Sequence, residues 1–203
     1  MLGVMAGYRR RFLLYIIETK TYAYLLKHVI WRVRITTYYT NFPGWKYHWI
    51  YKRIKPGDII LATDAKKLTS MLIPGEWTHA AVCVSKNQRF EVAEMVHTGF
   101  RKSTVSDICY EATKLVILRP RFDDVYRRRF ITNVLNLDGA DYDIKFDLGV
   151  KGLYCSELIY QADTEHRLGI SLDDLAGLGK PYVSPTGILN AEVDVIADSR
   201  KLS

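Results

Sequence analysis

Between Pro56 and Pro120 the apolar residues come in short runs: Ile59–Ala62, His79–Val84, Arg89–Glu94 and Lys114–Arg119, each fenced by turn-forming or polar residues. Runs this short suit β-strands, about 5–6 residues on average, and fall short of the usual helix of about 11–12. Lys55-Pro56-Gly57-Asp58 supplies a turn ahead of the first run, and Pro120, which has no backbone N–H to donate, closes the last. Only the polar stretch Ser85-Lys86-Asn87-Gln88 separates the second run from the third, so the two are expected to form an antiparallel hairpin.

Beyond Pro120 the spacing changes. Val125, Phe130, Ile131, Val134 and Leu135 recur at helical intervals between Asp123 and Leu137, and a second helix is expected from Cys155 to about Thr164. Val193-Asp194-Val195-Ile196 reads as a last strand. The expected class is therefore α+β, an antiparallel sheet packed against helices. Ahead of this, Tyr8 to Thr36 contains no Gly or Pro, and Phe12, Ile16, Thr19, Ala23, Leu26, Ile30 and Val33 follow a 4-3-4-3 spacing. That predicts a long N-terminal amphipathic helix, stopped before Asn41-Phe42-Pro43-Gly44 and followed by a linker rich in Trp and Tyr. The chain is thus read as a basic helical extension and linker over 1–54 and a compact domain over 55–203.

Charge divides along the same boundary. Residues 1–55 hold eleven Lys and Arg against the single acid Glu18, whereas the remainder holds 18 basic and 21 acidic residues. A basic helix of this kind is read as a face packed on its own domain, as a contact in a homo-oligomer or larger assembly, or as a helix lying on a membrane surface. Nucleic acid is not expected as a partner, because the segment contains no recognised binding module. Arg9-Arg10-Arg11 precedes only six apolar residues before Glu18, and no stretch approaches the ~20 needed to cross a bilayer, so neither a secretory signal nor a spanning helix is expected. Cys83, Cys109 and Cys155 form no CxxC pair and have no zinc-ligand spacing with His, so no metal and no cofactor is expected.

The hairpin has a chemical consequence. If its loop is symmetric about Lys86-Asn87, His79 lies directly opposite Glu94, and opposed residues of an antiparallel pair bring their Cβ atoms to about 4.5–5.5 Å on one face. A carboxylate on one imidazole nitrogen fixes the tautomer and raises the basicity of the ring, leaving the other nitrogen to take a proton from a nucleophile. Cys155 is the candidate, since Gly152 precedes it and a helical pattern follows, and a thiol at a helix N-terminus is biased towards thiolate. Cys83, within an apolar strand, and Cys109, with no nearby base, are read as packing residues.

The order Gly57-Asp58-Ile59, Trp77-Thr78-His79-Ala80, Val92-Ala93-Glu94, Tyr142-Asp143 with Phe146, and Tyr154-Cys155-Ser156-Glu157-Leu158 resembles the permuted papain-like amidases of the YaeF/YiiX type, relatives of the NlpC hydrolases. The resemblance covers about residues 55–165 and implies a permuted papain-like fold, in which His79 and Glu94 precede the cysteine. It implies Cys155 as nucleophile, His79 as general base and then acid, and Glu94 as orienting group, with Tyr154 lining the substrate site. It further implies a thiol peptidase or amidase acting through a thioester, on a peptidoglycan-type peptide or a lipid-like amide or ester. The apolar loop 64–78, with Leu68, Met71, Leu72, Ile73, Pro74 and Trp77, is read either as a substrate subsite or as a loop that covers the core. The alternative to an enzyme is a structural or binding protein, such as a virion component, that uses the fold and its basic helix for assembly or membrane contact.

Overall fold

The computed structural model describes residues 24–25, 42–63, 73–86, 88–89, 91–149, 152–175 and 179–202. The long helix expected over 8–36 lies outside these residues except for Tyr24 and Leu25, as do residues 64–72 of the apolar loop.

Each of the four short runs contributes a strand. β1 (Ile59–Thr63), β2 (His79–Cys83), β3 (Val92–Val96), β4 (Gly99–Ser103), β5 (Lys114–Pro120) and β8 (Val193–Asp198) form one sheet in the order β4-β3-β2-β1-β5-β8, every neighbouring pair antiparallel. A small second sheet pairs β6 (Asp173–Asp174) with β7 (Pro181–Tyr182). All five residues of β1 are buried, which is why Ile59-Ile60-Leu61-Ala62 reads as a continuous apolar run: the strand is covered on both faces.

Alternation along the strands divides the core in two. On one face Ile59, Leu61, Ala80, Val82, Ala93, Val116 and Leu118 meet Tyr126, Phe130 and Val134 of α3 (Asp124–Asn136) and Leu158, Ile159 and Ala162 of α4 (Cys155–Ala162). On the other, Ile60, Ala81, Cys83, Val92, Leu115 and Ile117 meet Ile50 of α1 (Gly44–Arg53) and Val105, Ile108 and Cys109 of α2 (Val105–Glu111). The helices begin where the sequence supplies caps. The Asp123 side chain accepts from Tyr126 N–H at 2.8 Å, an arrangement worth about 1 kcal/mol, and Thr104 with Asp107 closes a capping box on α2.

Two expectations are corrected here. The Trp- and Tyr-rich stretch expected as a linker is helix α1, because Ile50 and Ile54 are both fully buried against the sheet and Phe42 joins the same core. The hairpin is not symmetric about Lys86-Asn87. Glu94 pairs with Ala81 rather than His79, and Val84 N–H donates to Glu91 O, so the register lies two residues from the expected one. A shift of two keeps every side chain on its face, whereas a shift of one would have sent His79 and Glu94 to opposite sides.

Candidate active site

His79 opens β2 and Glu94 lies in the middle of β3. With Glu94 opposite Ala81, His79 is its diagonal neighbour on the same face, within reach of long side chains. The contact expected from direct opposition is therefore made diagonally, His79 Nε2 to Glu94 Oε2 at 2.7 Å. The other carboxylate oxygen, Oε1, accepts from Arg101 Nε at 3.0 Å, Arg101 Nη2 at 2.8 Å and Ser103 Oγ at 2.6 Å. Both donors come from β4, where Arg101 is the register partner of Glu94.

Cys155 is the first residue of α4, and no side chain caps this end of the helix. The His79 ring and the backbone N–H groups of Ala80 and Ser156 lie near its thiol and act on its ionisation. With Nε2 taken by Glu94, Nδ1 is the ring nitrogen left over. The β2–β3 ladder starts at Ala81–Glu94, so Ala80 lies just beyond its end, where β2 and β3 part. His79 and Glu94 share their face with Ala81, Cys83 and Val92, while α4 packs on the other face. The imidazole and the thiol are thus supplied by elements on opposite faces of the sheet.

The electrostatics follow from this chain of contacts. Burial works against the imidazolium, but hydrogen bonds to Cys155 and Glu94 and the Glu94 charge outweigh it, and the His79 pKa is pushed up to about 10. Burial also opposes ionisation of Glu94, which is 1 % exposed, yet the His79 bond and the His79 and Arg101 charges bring its pKa down to about 2. Cys155, buried as it is, is lowered from the usual thiol value by His79 and by the two N–H donors. Burial is the leading cause that pushes Cys83 and Cys109 up to about 12, and at Cys83 the Asp58 and Glu91 charges add to it. The shifts at His79 and Cys155 both favour a thiolate–imidazolium pair, and they do so at one cysteine of the three. His79 keeps 27 % of its side chain exposed, so the imidazole is the part of the pair open to solvent.

The sequence profile of the permuted papain-like amidases of the YaeF/YiiX type, the C92 family, matches residues 53–193. The chain belongs to this family. It is accordingly a cysteine hydrolase of the amidase type. Among solved structures it is similar to YiiX from Escherichia coli O157:H7, described as a metalloprotein, with a TM-score of 0.59 at 17% identity, covering 71% of this chain and 97% of that one. At that identity the likeness speaks for the fold, and it agrees with the mixed α+β architecture. Among the described residues of this chain, no group of three or more His, Cys, Asp or Glu is arranged to hold a metal ion. None of the curated proteins matches the chain.

The remaining motif residues of the YaeF/YiiX pattern act as supports. Asp143 accepts from the N–H groups of Lys145 (2.8 Å) and Asp147, closing a tight loop, and Phe146 at its tip, with φ 57°, lays its ring 5.1 Å from that of Tyr154. Glu157 is fully buried and takes the Gly149 N–H at 2.6 Å. Tyr154 and Trp77, expected to line the substrate site, are both fully buried. The Tyr154 hydroxyl instead accepts from Val183 N–H at 2.8 Å, fixing the segment that also receives Ser156 Oγ on Val183 O at 2.6 Å. Trp77 packs in the core below the cations of Arg200 and Lys114, and its backbone N–H donates to Thr186 Oγ1. Sequence reasoning did not find Arg101, Ser103 or the Ala80 N–H. The signal for the first two is the alternation of Gly99-Phe100-Arg101-Lys102-Ser103 behind a glycine turn, which sets a basic residue opposite Glu94 once the strand is recognised.

Proposed function

We propose that Cys155, His79 and Glu94 form the catalytic set of a hydrolase that cleaves an amide or ester through a thioester acyl-enzyme. The carrying observation is the 2.7 Å hydrogen bond between the His79 ring and the buried Glu94 carboxylate, with the Cys155 thiol lowered from its usual value by the same imidazole. In this scheme the Cys155 thiolate attacks the carbonyl carbon, and the His79 imidazolium gives its Nδ1 proton to the leaving amine or alcohol as the C–N or C–O bond breaks. Water then attacks the thioester. His79 takes a proton from that water, the carboxylic acid leaves, and the C–S bond breaks to restore the thiolate. Ala80 and Ser156 N–H hold the sulfur anion, and the uncapped first turn of α4 favours negative charge at the oxyanion. The substrate class follows the family: a peptide of the peptidoglycan type or a lipid-like amide or ester.

Two experiments test this. Alkylation by iodoacetamide is expected to modify Cys155 rapidly well below the ordinary thiol titration near about 8.5, with the midpoint moving up in His79→Ala. Cys83 and Cys109, pushed up to about 12, stay unmodified near neutral pH. Incubation with muropeptides and with acyl-lipid amides, followed by mass spectrometry, identifies the substrate by a product absent with Cys155→Ala. Equal labelling in wild type and Cys155→Ala, or a product that persists without the thiol, overturns the assignment.

A further inference from the structure

α1 is anchored from below and dressed for a different environment above. Ile50 and Ile54 are fully buried, and the Tyr51 hydroxyl donates to Glu91 Oε1 at 2.7 Å, which fixes the helix against the sheet. Its outer stripe, at spacings of three and four, is Trp45, His48 and Lys52, all exposed, with Trp45 keeping 52% of its surface in solvent. Arg53, also exposed, flanks it, and Lys46, Trp49 and Tyr47 are half-buried beside it. From residue 42 to residue 57 there is no acid, and the next one, Asp58, is buried and bound to Arg119 at 2.7 Å. None of Lys46, Lys52, Arg53 and Lys55 has an ion pair among the described residues. Upstream, residues 1–41 add seven Lys and Arg against Glu18.

We propose that the outward face of α1 docks on an anionic lipid bilayer. Trp is the side chain best suited to the headgroup level, where one end is apolar and the other wet, and each Lys or Arg beside it is drawn to the negative surface. The charges are complementary to an anionic surface and leave nothing on the helix to repel it. The ring geometry favours lipid over a nucleic acid, because stacking on bases needs an open aromatic face. Here the Arg53 guanidinium lies 4.1 Å from the centre of the Trp49 ring and the Lys46 ammonium 5.4 Å from that of Trp45. Cations paired with rings in this way fit the plane of phosphates above a hydrocarbon boundary. This surface is separate from the residues assigned to hydrolysis, and the two proposals fail independently.

The full chain is sedimented with vesicles of phosphatidylcholine alone and of phosphatidylcholine mixed with phosphatidylserine. Binding is expected to require phosphatidylserine and to weaken with salt. It should fall by about tenfold or more in Lys52→Glu/Arg53→Glu, and clearly in Trp45→Ala. Circular dichroism and the rate of Cys155 alkylation are expected to stay at wild-type values in these variants, which shows that the fold is intact. Wild-type levels of vesicle binding in these variants would place the contact elsewhere in the chain and overturn the proposal. So would binding that ignores phosphatidylserine, or a preference for single-stranded or duplex nucleic acid in competition with the vesicles.

Discussion

A buried carboxylate is costly unless its lone pairs are filled, and the two oxygens of Glu94 are filled from different directions. Oε2 serves His79, while Oε1 is held by Arg101 and by Ser103, whose residue is 4% exposed. Ser103→Ala removes a donor from a buried anion and is expected to cost about 1.5–3 kcal/mol at neutral pH, with Ser103→Thr restoring most of it. The pH dependence has a definite sign. The folded pKa of Glu94, about 2, lies below its unfolded value, so its stabilisation is present above that unfolded value and is lost as pH falls towards about 2. The gap between wild type and Ser103→Ala should therefore narrow on the acid side, as measured by urea unfolding at a series of pH values. A gap that is constant with pH would mean that the hydroxyl acts through packing alone. At this scale the sequence discloses residues that carry unusual chemistry in a recognisable pattern, as Cys155, His79 and Glu94 do. Arg101 and Ser103 look like ordinary surface residues until the strand that presents them is paired.

Elements were legible where their pattern was long or sharply bounded. Asp123 caps α3 at the start of the segment expected to be helical, and β1 and β5 coincide with apolar runs bounded by Pro and Gly. β4 escaped because Gly99-Phe100-Arg101-Lys102-Ser103 forms no apolar run, α2 because seven residues are too few to display a period, and α1 because aromatic residues on all its sides hide the two isoleucines that anchor it. The hairpin register was missed by two residues, since loop length cannot be read from composition, yet the face of each residue was right because parity was preserved. Between elements, Gly152 is the tightest approach near the thiol. A Cβ there would lie 2.9 Å from Asp141 O and 3.2 Å from Asp143 N, both backbone atoms of the strand-like segment bridged to Leu153. Gly152→Ala is expected to destabilise by about 1–3 kcal/mol and to slow Cys155 alkylation, because the segment leading into α4 must move. Gly44→Ala, at the first position of α1 with nothing within 4 Å, is the control and should be neutral or mildly stabilising. Equal denaturation midpoints for the two variants would show that the approach at Gly152 is easily relaxed.

On the scale of the whole molecule, one sheet carries two cores, and the candidate site draws on both. His79 stands on the face covered by α1 and α2, and Cys155 comes from the helix on the opposite face, so neither layer alone completes the pair. β1, β2 and β5 contribute side chains to both cores, so separating either layer would expose strands whose central residues are all buried. The described core is therefore expected to unfold as one unit, and the protein carries its own probes of this. Cys83 and Cys109 lie in the core on one face, Cys155 in the core on the other, and all three are free thiols. Pulsed thiol labelling across a urea series, read by peptide mass, should give one midpoint for all three cysteines, with the pulse short enough that native Cys155 contributes only a flat baseline. Phe130→Ala, which removes a fully buried ring of α3 far along the chain from all three, should shift the three midpoints together by an amount equivalent to about 3–5 kcal/mol. If Cys109 became reactive at lower urea than Cys155, or if Phe130→Ala moved Cys155 alone, the two layers would be separate units, and a candidate site built across them would have to form by their docking.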